Sequence, residues 1–255
     1  MKSLFLKYIL VIFSFAVLFT ACKKDPEPGT TPITTGKVTL EFDHVVGDQA
    51  LALNPQQYTN ANGDQFQITT FKYYISNIVL TKADGTSYKQ PESYYLVDEE
   101  EPDSKLITLE EVPSGEYTGL TFTVGVDSVR NVSGAQTGAL DTALGMFWSW
   151  NTGYIFLKLE GYSPQSEKGG LTFHIGGFKA PNNTIRTISP NLNGSKMLVA
   201  AGKAPQVHLK VNVLEMFQSP HLIKFADLSS TMGGPASVTI ADNYRDMFQV
   251  DHIHN

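Results

Sequence analysis

The sequence contains one cysteine, Cys22, so no internal disulfide can staple the fold. Walker and dinucleotide glycine motifs are missing, as is any internal repeat. No Ser-His-Asp, paired-carboxylate or His-Glu-x-x-His arrangement can be assembled with useful spacing, so the chain reads as a non-enzyme. Positive charge is scarce. Removing residues 1–21 takes away two of the 19 basic residues and none of the 25 acidic ones, leaving a balance of −8. Phosphate binding needs concentrated positive charge, which argues against nucleic acid as a partner. No second hydrophobic span follows the first twenty residues, and no long stretch carries the 3.6-residue period of a helix.

The start of the chain is organised differently. Lys2 and Lys7 precede Tyr8–Phe19, an almost uninterrupted apolar run too short to span a bilayer comfortably. It ends in Leu18-Phe19-Thr20-Ala21-Cys22, small residues followed by the cysteine, and this resembles a bacterial lipobox. Residues 1–21 are thus expected to be removed as a lipoprotein signal peptide, with Cys22 acylated as the mature N-terminus. Acyl chains hold a protein on a membrane surface without a transmembrane helix. Residues 22–36 form an acylated start and a tether rich in Pro, Thr and Gly. Their Lys23-Lys24-Asp25 resembles the opening of Bacteroidota lipoproteins, so the expected location is the cell envelope, as an outer-membrane lipoprotein facing the periplasm or the exterior.

Residues 37–255 read as one domain. Val38, Leu40 and Phe42 alternate with Thr39, Glu41 and Asp43, and Leu120, Phe122 and Val124 alternate with Thr121 and Thr123. Such period-two patterns recur along the chain, with turn residues between them, and predict an all-β, mostly antiparallel sandwich with Greek-key-like connections. His44 keeps the apolar phase of its strand, whereas His174 and His208 fall on the polar phase of theirs. His208 and His221 read as surface residues. His252 and His254, two apart, point the same way on an extended backbone, a common way to present two nitrogen ligands to copper or zinc. The stretch Gly145–Gly161 holds both tryptophans; on an extended segment Met146, Trp148 and Trp150 line one side. Aromatics bury large areas, so this stripe reads as core, or as a chemically or metal-functional tryptophan site.

Several of these segments together resemble the MbnP-like copper-binding proteins, notably Bacteroidota lipoprotein members. The resemblance is carried by Phe42-Asp43-His44, FKYYISNIVL, Gly125-Val126-Asp127-Ser128, the Met-x-Trp-x-Trp stretch with Gly-Tyr-x-Phe after it, and Phe173-His174-Ile175-Gly176-Gly177. It implies a β-sandwich that binds copper outside the cytoplasm. It also implies a possible partner, a diheme peroxidase of the MauG type that oxidises a tryptophan to kynurenine, here Trp148 or Trp150. A disulfide found in other members has no counterpart in this mature chain. The expected ligands are His44, His174, His252 and His254, with His44 meeting the C-terminal pair at a sandwich rim. The competing expectation is a metal-free surface module for glycans or proteins, using the chain's tyrosines and tryptophans as a platform.

Overall fold

The computed structural model describes residues 34–151 and 153–255. The expected signal segment, Cys22 and most of the tether lie outside the described residues.

The first strand, β1 (Thr35–Val46), begins two residues before the expected domain start, because Thr35 and Gly36 pair with Pro113 and Val112. It is followed by β2 (Gln65–Lys82), β3 (Tyr94–Asp98), β4 (Leu106–Pro113) and β5 (Gly115–Val124). A short helix, α1 (Ser128–Val132), is capped by the Asp127 carboxylate, which accepts from the amides of Val129 and Arg130. Then come β6 (Leu157–Tyr162), β7 (Gly170–Ile175), β8 (Gln206–Asn212), β9 (Ser230–Met232), α2 (Gly234–Tyr244) and β10 (Phe248–His254). The second helix, α2, is opened by Pro235 in its first turn.

Apart from a two-stranded hairpin of Phe147–Trp148 with Gly153–Tyr154, the strands of the described residues form a five-stranded and a ten-stranded sheet. In the smaller, the order β10-β8-β1 continues to Gln49–Ala50, and β4 also pairs with β1. In the larger, the long β2 lies between β5 and β6, and β7 and β9 follow β6. Most pairings are antiparallel as expected, but β1 with β8 and β7 with β9 are parallel.

The inner faces meet through edge-on aromatics. Phe42 of the small sheet lies 6.2 Å from Tyr73 and 6.0 Å from Phe122 of the large one, and Phe248 lies 5.3 Å from Phe122. Tyr74, next to Tyr73, therefore turns to the outer face of the large sheet. There it joins a separate apolar cluster with Met146, Trp148, Tyr154 and Phe156. The expected Met146-Trp148-Trp150 stripe is broken. The strand ends at Trp148, residues 149–151 turn, and Trp150 is left 64% exposed while Met146 and Trp148 are buried. Among the described residues no helix is long and apolar enough to cross a membrane.

Candidate metal centre

On β1 the phase that buries Val38, Leu40, Phe42 and His44 turns Glu41 and Asp43 outward. Pairing carries that outward phase across the sheet. Glu41 stands opposite His208 on β8, and His208 stands opposite His252 on β10. Cross-strand partners share a face, so these side chains are neighbours. The last strand reaches this arrangement through a bulge. Leu209 pairs with Val250 and His208 with His252, so Asp251 is an extra residue. Without it, His252 and His254 would share the inward phase of Phe248 and Val250. With it, both imidazoles point outward beside His208.

Three imidazoles converge there: one nitrogen from each of His208, His252 and His254 lies within 4.8 Å of the others. The Nε2 atoms of His252 and His254 are 3.0 Å apart, with the rings at 83°. Two nitrogens on one divalent ion at about 2.0–2.1 Å, separated by 90–109°, would be roughly 2.9–3.4 Å apart, so this pair already has the spacing of two ligands. His208 lies flat on His252, with centroids 4.2 Å apart and planes at 13°. It has to tilt to share the same ion. Carboxylates surround the rings: His208 Nδ1 is 3.3 Å from both Glu41 and Asp43, and His252 Nδ1 is 2.7 Å from Asp251. The hydrogen bond from His252 holds the Asp251 carboxyl below its usual range. Imidazole nitrogens suit copper and zinc, so the donor set fits a divalent transition metal.

The other expected ligands lie elsewhere. His44 does not meet the C-terminal pair, because it belongs to the opposite face of the sheet. Its Nδ1 is 2.7 Å from Glu99, its Nε2 2.8 Å from the Tyr73 hydroxyl, and its ring packs edge-on against Phe71. Burial lowers its pKa despite Glu99. His174 sits on the outer face of the large sheet, 2.7 Å from Glu160, and burial lowers its pKa too. Trp148 is on that same side: a Cβ at Gly176 would come within 2.8 Å of its ring. The tryptophans and the three-histidine cluster thus occupy opposite outer faces of the sandwich, separated by its whole core. His221 is a surface residue as expected, near Asp242.

His208, read from the sequence as a solvated residue, is the member that sequence reasoning missed. Its polar phase is shared by Glu41 and Asp43, but only the parallel pairing of β1 with β8, strands 165 residues apart at this contact, brings them together.

The family model described as MbnP matches residues 35–233. His252 and His254 lie beyond the matched residues. No curated protein matches the chain. Among solved structures, MbnP from Methylosinus trichosporium is similar, with a TM-score of 0.51 and 18% identity over 80% of this chain and 82% of that one, a likeness of fold. With the sandwich in place and the family model spanning most of it, the chain belongs to the MbnP family.

Proposed function

We propose that this protein binds copper outside the cytoplasm, for acquisition, storage or handover, through His208, His252 and His254. Family membership supports a copper-related role, and the convergence of three imidazoles on one exposed patch is the observation that carries the assignment. Nitrogen sites bind Cu(II) more tightly than Zn(II) at equal geometry. An exposed site at a sheet edge also suits exchange with a donor or acceptor. Acylation at Cys22 would keep the protein at the membrane of the cell envelope. Mass spectrometry of the membrane fraction tests this, and an unmodified cysteine or an intact N-terminus would refute it.

Oxidation of Trp148 or Trp150 to kynurenine by a MauG-type diheme peroxidase belongs to the same reading, at a separate place. Trp150 is the indole such a partner would meet first, since Trp148 is 5% exposed. A kynurenine there supplies no ligand to the histidine cluster.

The test is a copper titration of the apo-protein. His208→Ala, His252→Ala and His254→Ala should each weaken binding at least tenfold, whereas His44→Ala and His221→Ala should bind like the parent. Equal binding by all five variants would remove the assignment. A second reading, a surface module for glycans or proteins, is favoured by the exposed Trp150 and a cleft of about 330 Å³ lined by Trp148, Asn151, Phe178 and Lys179. Glycan binding abolished by Trp150→Ala, in a protein that takes up no copper, would establish it instead.

A further inference from the structure

The inference below rests on the copper reading of the three-histidine cluster. We propose that Asp43 and Asp251 are positioning residues that hold His208 and His252 as Nδ1–H tautomers, so that the site presents Nε2 donors and selects divalent over monovalent copper.

An ionised carboxylate only accepts hydrogen bonds. The 2.7 Å contact between His252 Nδ1 and Asp251 therefore places a hydrogen on Nδ1 and leaves Nε2 of the neutral ring as an acceptor. That Nε2 is the atom 3.0 Å from His254 Nε2. His208 is held in the same sense, with Nδ1 3.3 Å from Asp43 and from Glu41. Two of the three carboxylates have a second partner. Glu41 accepts from the Gln206 amide, and the Lys210 ammonium lies 3.9 Å from Asp251. Metal-binding histidines commonly donate their second ring N–H to a carboxylate, which fixes the ring and raises its basicity. Here that outer layer already surrounds two of the three rings.

The same layer sets the preferred charge. Three carboxylates, Glu41, Asp43 and Asp251, add negative charge around the imidazoles, and the attraction they exert on a dication is twice that on a monocation. Soft sulfur donors, which favour Cu(I), do not reach the cluster among the described residues. Met146, Met197, Met216 and Met247 are buried, and Met232 belongs to the other sheet.

The experiment measures Cu(II) affinity by chelator competition, and Cu(I) affinity the same way under reductant, for the parent, Asp43→Ala, Asp251→Ala, Asp251→Asn and the triple variant His208→Ala/His252→Ala/His254→Ala. Nitrogen NMR of the apo-proteins reports which ring nitrogen carries the hydrogen. Asp251→Ala should lower Cu(II) affinity about 10–100-fold, change Cu(I) affinity less, and erase the Nδ1–H signature of His252. Asp43→Ala should act in the same direction but by less, because Glu41 remains 3.3 Å from His208 Nδ1. Asp251→Asn, which keeps an acceptor without the charge, should retain the tautomer and lose less affinity. Alanine variants that bind Cu(II) within twofold of the parent, with the triple variant inactive, would overturn the positioning role while the site stands. Equal losses for both oxidation states would overturn the selectivity. A triple variant that binds like the parent would remove the site and this inference together.

Discussion

A histidine in the apolar phase of a strand must find partners inside the protein or be pushed out. His44 finds two, Glu99 and the Tyr73 hydroxyl, with Lys105 3.0 Å from the same Glu99 oxygen. This makes His44 a structural residue. His44→Ala should cost about 3 kcal/mol, because it leaves the Tyr73 hydroxyl without its partner and a cavity beside Phe71. Copper affinity should not change, and urea unfolding with a copper titration checks both. The pair also predicts a pH dependence. Burial lowers the folded pKa of His44 below its ordinary 6.5, so the unfolded chain binds the proton first. Its contribution is full above 6.5 and is lost as pH falls from there toward the folded value. Burial works to raise the Glu99 carboxyl, but the hydrogen bonds from His44 and Lys105 outweigh it and hold it below 4.5. That contribution is present above 4.5 and is lost as pH falls through the folded value. Both groups therefore make the parent weaker in acid, and His44→Ala should flatten the stability profile between about pH 5 and 7. A parent whose stability is constant across that range would contradict the arrangement.

At the scale of single elements, the bulge in β10 decides which way two imidazoles face. Deleting Asp251 removes the extra residue while Val250 stays inward and His252 and His254 stay outward. The deletion variant should fold, with its melting temperature within a few degrees of the parent, and should lose copper affinity about as much as Asp251→Ala. Loss of all binding would mean that the bulge itself shapes the site. A second element prediction concerns the hairpin of Phe147–Trp148 with Gly153–Tyr154. Gly176→Ala would drive a methyl to 2.5 Å from the Tyr154 carbonyl oxygen and 2.8 Å from the Trp148 ring, so the indole must shift. Tryptophan fluorescence should change and copper affinity should not, since the cluster lies on the other outer face. These two elements also mark what the sequence could reveal. Period-two alternation in KVTLEFDH and its like made the strands and their sandwich legible, and the two-residue spacing of His252 and His254 correctly put both rings on one side. The side itself was not legible. A one-residue bulge inverts phase without any composition signal, and the parallel pairing of β1 with β8 is a tertiary choice that alternation does not encode. His44 therefore looked like a neighbour of the C-terminal pair, and His208 like a solvated residue.

In the whole molecule the two outer faces are insulated by one shared core, and this gives the copper reading a global test. The proposed ligands come from β8 and β10, so a bound ion would tie the last strand to its neighbour. An ion that binds only the folded chain adds about 2.7 kcal/mol at a hundredfold excess over Kd. For a domain of 150–250 residues each kcal/mol moves Tm by about 2–4 °C, so copper should raise Tm by roughly 5–11 °C. The triple histidine variant should show no shift. The shift should shrink in acid, because the ligands must be neutral to bind. Hydrogen exchange locates the effect: copper should slow exchange in Gln206–Asn212 and Phe248–His254 and leave Phe147–Trp148 and Gly153–Tyr154 unchanged. Slower exchange at the tryptophan hairpin, with none in the last strand, would move the metal to the opposite face, beside His174 and Trp148.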